Sequence, residues 1–138
     1  MLKTPASPIR FPRLLLTGAG GNLGKELRPR LKAYCDVLRV SHRRELDPAV
    51  AGEEVQLASL EDKDQMMALL QGVNAVVHMG GVSTEQPWAP ILAGNIVGMV
   101  NLYEAIIWSL SSRDASCTSS PATAGSSSRR WLTRSTSQ

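Results

Sequence analysis

Thr17-Gly18-Ala19-Gly20-Gly21-Asn22-Leu23-Gly24 follows the apolar run Leu14-Leu15-Leu16 and opens into the helix-forming segment Lys25-Glu26-Leu27. Strand, glycine-rich turn and helix, in that order, form the arrangement that holds a dinucleotide pyrophosphate. Gly18 permits a sharp turn where a Cβ would clash. Gly21 lets backbone come close to phosphate, and Gly24 lets the helix pack tightly on the strand. The helix N-terminus then offers free N–H donors and partial positive charge to an anion. A Walker A loop is the competing phosphate reading, suggested by Gly24-Lys25. It fails because Gly18 to Gly24 is one residue too long for that spacing, and Glu26 stands where a Ser or Thr for magnesium is required.

Outward from this turn, strand-like and helix-like segments alternate over residues 13–108. Arg13–Thr17 reads as a strand and Asn22–Ala33 as a helix, with Leu23, Leu27 and Leu31 on one face. Val37–Val40 and Glu54–Ala58 read as short strands, and Leu60–Leu70 as a helix with Leu60, Met67 and Leu70 inward. Ala75–Met79 reads as a strand, apolar apart from His78, which suggests burial on both faces. Ala89–Trp108 reads as a long apolar helix. Strands alternating with helices indicate an α/β fold, the N-terminal part of a doubly wound parallel sheet of Rossmann type. Its fourth strand would be an open edge, and the 89–108 helix would lose part of its packing.

At 138 residues the chain has room for one domain. Residues 1–12 contain Pro5, Pro8 and Pro12 and no apolar h-region, so they read as a flexible leader and not a secretory signal. No run of about 18 apolar residues occurs, and no membrane span is expected. Cys35 and Cys117 are far apart with no CxxC, and His42 and His78 have no ligand spacing, so no metal site is expected. Two isolated cysteines fit a reducing, cytoplasmic setting. Residues 1–108 hold eleven Lys/Arg against eleven Asp/Glu, which leaves no basic patch for nucleic acid. Residues 109–138 differ in kind: eleven of the thirty are Ser, and the apolar period stops after Trp108. Such a segment buries too little apolar surface to offset its ordering entropy, so disorder is expected there.

The glycine turn has the TGxxGxxG form of the extended short-chain dehydrogenase/reductase family, the NAD-dependent epimerases and dehydratases. The later run Val77-His78-Met79-Gly80-Gly81-Val82-Ser83, Glu85, Pro87-Trp88, Asn95-Ile96, Gly98 and Asn101-Leu102-Tyr103-Glu104-Ala105 is similar to the uronate dehydrogenases of that family. The resemblance covers about residues 13–106. It implies that Gly18, Gly21, Asn22, Leu23 and Gly24 surround the pyrophosphate of NAD or NADP. It places His42 and Arg43 at the adenosine ribose, Ser59 and Leu60 near the adenine, and Gly80 and Gly81 at the nicotinamide-side ribose. Asn95 would match an Asn that supports a proton relay, and Ser83 a loop serine that touches a hexuronate sugar acid. The implied reaction is oxidation of a hexuronate to a lactone, with hydride passing to the nicotinamide.

Three departures from the family pattern matter. Ser41-His42-Arg43-Arg44 stands where the family usually holds the ribose hydroxyls with a carboxylate, and arginines there accommodate a 2′-phosphate, which keeps NADP beside NAD. Ser59 replaces a frequent Asp, and Ser59 with Asp62 also reads as a helix capping box. The family's catalytic Ser and Tyr-x-x-x-Lys pair find no match. Tyr34 has Leu38 at its fourth place ahead, Tyr103 has Ile107, and the last lysine is Lys63. The resemblance therefore implies a cofactor-binding part of an oxidoreductase, truncated before its catalytic residues and inactive alone. The other readings are a dinucleotide-binding module without turnover and a nucleotide-sugar epimerase or dehydratase relative. The Ser/Arg/Thr-rich text after the Ala105 region reads as coding sequence out of frame, which sequencing of the gene decides.

Plainer roles are expected elsewhere. His78, at a strand end with no carboxylate or nucleophile nearby in sequence, reads as a hydrogen-bonded structural histidine. Glu53-Glu54 read as solvated, Met66, Met67 and Met99 as core filler, and Asn101 as a backbone bridge. Trp88 is read equally as a substrate platform or a loop closure. Oligomeric state is left open.

Overall fold

The computed structural model describes residues 9–117. Four strands, β1 (Phe11–Thr17), β2 (Cys35–His42), β3 (Glu53–Leu57) and β4 (Ala75–His78), form one parallel sheet in the order β3-β2-β1-β4. The α/β, Rossmann-type expectation is therefore met. β1 is central: Leu15 lies opposite Arg39 of β2 and Val76 of β4. Between β1 and β2 run α1 (Asn22–Leu31) and a short 3-10 turn, Lys32–Tyr34. Between β3 and β4 runs α2 (Lys63–Leu69). After β4 the chain winds through α3 (Trp88–Ile91), a π-helical segment (Leu92–Val97) and α4 (Gly98–Cys117).

Strand geometry sends alternate side chains of one apolar run to opposite faces. Leu14 and Leu16 join Leu38, Val40 and Cys35 in a core completed by Leu27 and Leu31 of α1. Leu15 joins Met66, Leu69 and Leu70 from the α2 region and Leu102 and Ala105 of α4 on the other face. Strand β4 serves both cores, with Val76 on one face and Val77 on the other, as its apolar residues suggested. All four of its residues are only half-buried, because β4 is the sheet edge.

Several local expectations are corrected. Strand β1 starts at Phe11, inside the segment read as leader, and α4 continues nine residues past Trp108, to Cys117. Leu23 is 68% exposed and faces the cleft described below, so of the three leucines only Leu27 and Leu31 pack α1 on the sheet. Leu60, Met67 and Leu70 do face the core as read, and Met66 and Leu69 of α2 are buried more deeply still. The helix starts three residues later than a Ser59 cap requires: Asp62 Oδ1 accepts from the Gln65 N–H at 3.0 Å, and Asp62 Oδ2 from Gln65 Nε2 at 2.8 Å. Ser59 instead donates its N–H to Gln65 Oε1 at 2.8 Å.

Glu53 is not solvated, whereas the Glu54 side chain is 38% exposed. The Glu53 side chain is 2% exposed and accepts from Arg28 Nε, Arg28 Nη2 and the Val50 N–H. Glu54 bridges Arg13 and Arg39. The expected open helix face is present. Ile96, Val100, Tyr103, Ile107 and Leu110, spaced by three or four residues, are each at least half exposed. By length and composition Trp88–Ser112 is apolar enough to cross a membrane, with mean hydropathy 1.4 over an 18-residue stretch, whereas its Gly94, Leu102 and Ala105 pack inward. The segment expected to be disordered lies largely outside the described residues, as does most of the leader.

Candidate functional site

In the order β3-β2-β1-β4, chain direction around the sheet reverses between β1 and β4. The crevice outside the carboxyl ends of strands at such a switch point is where open α/β sheets bind ligands. A cleft of about 390 Å³ occupies that position here. Thr17 and Gly18 at the end of β1, Ser41 and His42 at the end of β2, and Met79 and Gly80 after β4 all line it.

The glycine turn forms its floor. Gly18 has φ +69°, and a Cβ there would lie 2.4 Å from the Met79 carbonyl carbon, so two loops meet backbone to backbone. Gly24 is buried on the other side of the turn, where a Cβ would come within 2.2 Å of the Gly18 oxygen. Gly21 is different, since its only close neighbour is the Gly18 oxygen at 3.3 Å. Space beside Gly21 opens into the cleft. Gly21 is also the N-cap of α1 and supplies no side-chain cap, and the first turn of the helix contains no acidic residue. The first N–H groups of a helix have no intrahelical partner. With Gly21, Asn22 and Leu23 lining the cleft, these donors and the positive helix end are directed at it.

At the β2 end, the His42 ring lies against Gly20, where a Cβ would meet its Cδ2 at 2.7 Å. Burial, and then the charges of Arg43, Arg44 and Lys25, hold the His42 pKa below its ordinary value. A neutral imidazole and a positive surround therefore stand where a ribose carboxylate was sought. Ser59, Leu60 and Glu61, from the β3–α2 connection, form the adjoining wall.

At the β4 end, Asn95 Oδ1 accepts from the Val82 N–H at 2.6 Å, and its Nδ2 donates to the Val82 oxygen at 2.9 Å. Both ends of the Asn95 amide are thus engaged in fixing the loop that carries Gly80, Gly81 and Ser83. Asn95 lies in the π-helical segment, a distortion that often occurs at functional sites. Below this loop, Thr17 Oγ1 and His78 Nδ1 are 2.6 Å apart, which makes His78 a structural link between β1 and β4. Burial lowers its pKa, so the ring is held neutral. Trp88 is 70% exposed and does not line the cleft.

Of the residues proposed from sequence, Gly18, Gly21, Asn22, Leu23, His42, Arg43, Ser59, Leu60, Gly80, Gly81, Ser83 and Asn95 all line this one cleft. Gly24 does not line it and acts from behind. Sequence reading missed Thr17, Ser41, Ala58, Glu61, Met79, Val82 and Gly94, which also line it. Position directly after a strand could have found Ala58 and Met79. Nothing in the sequence marked Gly94.

The sequence model of the NAD dependent epimerase/dehydratase family matches residues 14–135. The chain belongs to this family. Within the family it is similar to the uronate dehydrogenase of Pseudomonas syringae pv. tomato, at 52% identity over 96 residues, covering 69% of this chain and 35% of that protein. The uronate dehydrogenase of Agrobacterium fabrum is 45% identical over 93 residues, covering 67% of this chain and 35% of the relative. Among solved structures, Agrobacterium tumefaciens uronate dehydrogenase aligns with a TM-score of 0.70 at 43% identity, over 71% of this chain and 37% of that one. A mutant of that enzyme complexed with NAD aligns with a TM-score of 0.68 at 44% identity, over 69% and 36% of the two chains. The chain spans about a third of the length of these epimerase/dehydratase relatives.

Proposed function

We propose that this chain binds a nicotinamide dinucleotide in the cleft and is the cofactor-binding part of a hexuronate dehydrogenase. The observation that carries the reading is the uncapped N-terminus of α1 behind the Gly18–Gly21 turn, at the β1/β4 switch point. The cradle fits a pyrophosphate: Gly21 leaves open the space a Cβ would fill, and no carboxylate lies in the first turn. Gly18, Gly21, Asn22 and Leu23 would hold the pyrophosphate, with Gly24 setting how closely α1 approaches the turn. His42 and Arg43 would face the adenosine ribose, Ser59 and Leu60 the adenine, and Gly80 and Gly81 the ribose at the other end. Both NAD and NADP remain within reach. The similar enzymes favour NAD, and Arg43 beside Arg44 favours a 2′-phosphate.

When bound, the nicotinamide supplies a hydride acceptor. This chain's residues bind and orient it. Asn95 holds the loop that presents Ser83, the residue proposed to touch the sugar acid. Neither described tyrosine has a lysine four places on, so no residue pair here matches the Tyr-x-x-x-Lys that would draw a proton from a substrate hydroxyl. The chain alone is therefore proposed to bind without turnover, in a cytoplasmic setting.

Calorimetry with NAD and NADP tests the reading, with Gly21→Asp as control because it puts a carboxylate where the pyrophosphate would lie. Binding that the substitution abolishes supports it. Failure to bind either nucleotide, or binding that Gly21→Asp leaves intact, overturns it. Formation of reduced cofactor from a hexuronate by the purified chain would overturn the absence of turnover.

A further inference from the structure

Asn101 does not line the cleft. It sits on the inward face of α4 and is 8% exposed. Its Nδ2 donates to two backbone oxygens, those of Leu60 and Glu61, each at 3.0 Å. A side-chain amide has two N–H donors, and both are used here on consecutive carbonyls of one connection. That connection supplies Ser59, Leu60 and Glu61 to the cleft wall. The Leu60 side chain is wedged between two glycines. A Cβ on Gly80 would come within 2.8 Å of Leu60 Cδ1, and a Cβ on Gly98 within 2.8 Å of Leu60 Cβ. The connection is thus gripped from α2 through Gln65 and Ser59, and from α4 through Asn101 and Gly98.

We propose that Asn101 is a positioning residue for the adenosine end of the dinucleotide, acting through Leu60. By holding the Leu60 and Glu61 carbonyls it fixes the height of the β3–α2 connection over the cleft. Leu60 then becomes an apolar plate against which a purine face lies, with Ser59 and Glu61 as its polar rim. The inference rests on the dinucleotide reading and extends it to a residue with no ligand contact of its own. Asn101→Asp replaces both donors with a carboxylate facing two carbonyl oxygens. Asn101→Ser removes the reach without adding charge.

The test is calorimetry on the full chain with ADP-ribose, and competition by inorganic pyrophosphate as the adenine-free probe. Asn101→Ser and Asn101→Asp should each weaken ADP-ribose by about tenfold, a scale set by losing one to two neutral hydrogen bonds' worth of positioning, and leave pyrophosphate within about twofold. Leu60→Ala should reproduce the loss, and the Leu60→Ala/Asn101→Ser pair should lose little more than either alone, because coupled residues are non-additive. Equal weakening of both probes, or additive losses in the pair, would make Asn101 merely structural and overturn the proposal. Wild-type protein that binds neither probe refutes the dinucleotide reading itself. Wild-type binding retained by the Asn101 variants refutes the positioning role alone. Should Asn101→Asp fail to fold, Asn101→Ser and Leu60→Ala carry the same comparison.

Discussion

Arg28→Met should destabilise the fold by about 3 kcal/mol, and the arithmetic lies in the buried Glu53 site. Arg28 donates to Glu53 Oε2 from Nη2 at 2.8 Å and from Nε at 3.3 Å, with side-chain exposures of 13% and 2%. Hydrogen bonds to charged groups contribute roughly 1.5–3 kcal/mol each, and stranding one partner of a buried ion pair costs roughly 3–5 kcal/mol. The lower end applies because Lys32 Nζ, 3.9 Å away, and the Val50 N–H still face the carboxylate. Arg28 also donates to the Asp47 and Pro48 oxygens, so its loss frees the β2–β3 connection as well. Urea unfolding followed by far-ultraviolet circular dichroism measures the change.

The same site has a pH signature. Burial alone raises the Glu53 carboxyl, but the Arg28 hydrogen bonds, the Val50 N–H and the charges of Arg28 and Lys32 outweigh it and leave it below its ordinary 4.5. A carboxyl depressed in the folded state contributes stability that is present above the unfolded value and lost as pH falls through the folded one. In Arg28→Met the Arg28 contributions are gone and burial is the largest that remains, so the carboxyl moves up and the variant's deficit against wild type should shrink as pH falls toward 4.5. Adding Glu53→Gln should restore much of the loss at neutral pH, because the stranded charge is removed. A single substitution costing less than about 0.5 kcal/mol, the ordinary range of a surface change, would refute the reasoning.

Gly18→Ala should abolish cofactor binding and lower thermal stability, since it combines φ +69° with a Cβ 2.4 Å from the Met79 backbone; calorimetry and a melting curve read the two effects. His42 and His78 both have lowered folded-state pKa values, chiefly from burial. Their stability contribution is complete above the ordinary 6.5 and is lost as pH falls toward the folded values, so His78→Gln should flatten the unfolding midpoint just below pH 6.5. Val100→Lys with Ile107→Lys should reduce self-association measured by light scattering, because both positions lie on the open apolar face of the last helix.

The elements most legible in the sequence were those encoded locally. The run Leu14-Leu15-Leu16 before a glycine turn specified a strand, a turn and a helix, and strand–helix alternation then required a parallel sheet. Residues set by distant partners were not legible. Glu53 looks solvated in a charged stretch, yet its partner is 25 positions away on α1. Leu23 fits the helical period of Leu27 and Leu31, but it sits in the first turn, where α1 borders the cleft before it reaches the sheet. Capping chemistry was read in the right kind and the wrong place: Asp62 outcompeted Ser59 because Gln65 could bind both its carboxylate and the Ser59 N–H. In the cleft, glycines and strand ends were visible, whereas Gly94 depends on how the π-helical segment lies across the loops; outside it, Asn101 is the backbone bridge it was read as.

The central place of β1 has a consequence for synthesis. Among the described strands it is made before the other three, and the Thr17–His78 link on its β4 side spans 61 positions. At bacterial-to-eukaryotic elongation rates of roughly 5–20 residues per second, that interval is about 3–12 s. Until α2 has emerged the Leu14–Leu16 segment has no helix on that side, and until β4 follows it has at most one neighbour strand. Of the four described strands, the one on which the sheet is built therefore waits longest as a sticky surface on the nascent chain, a segment suited to a holding chaperone.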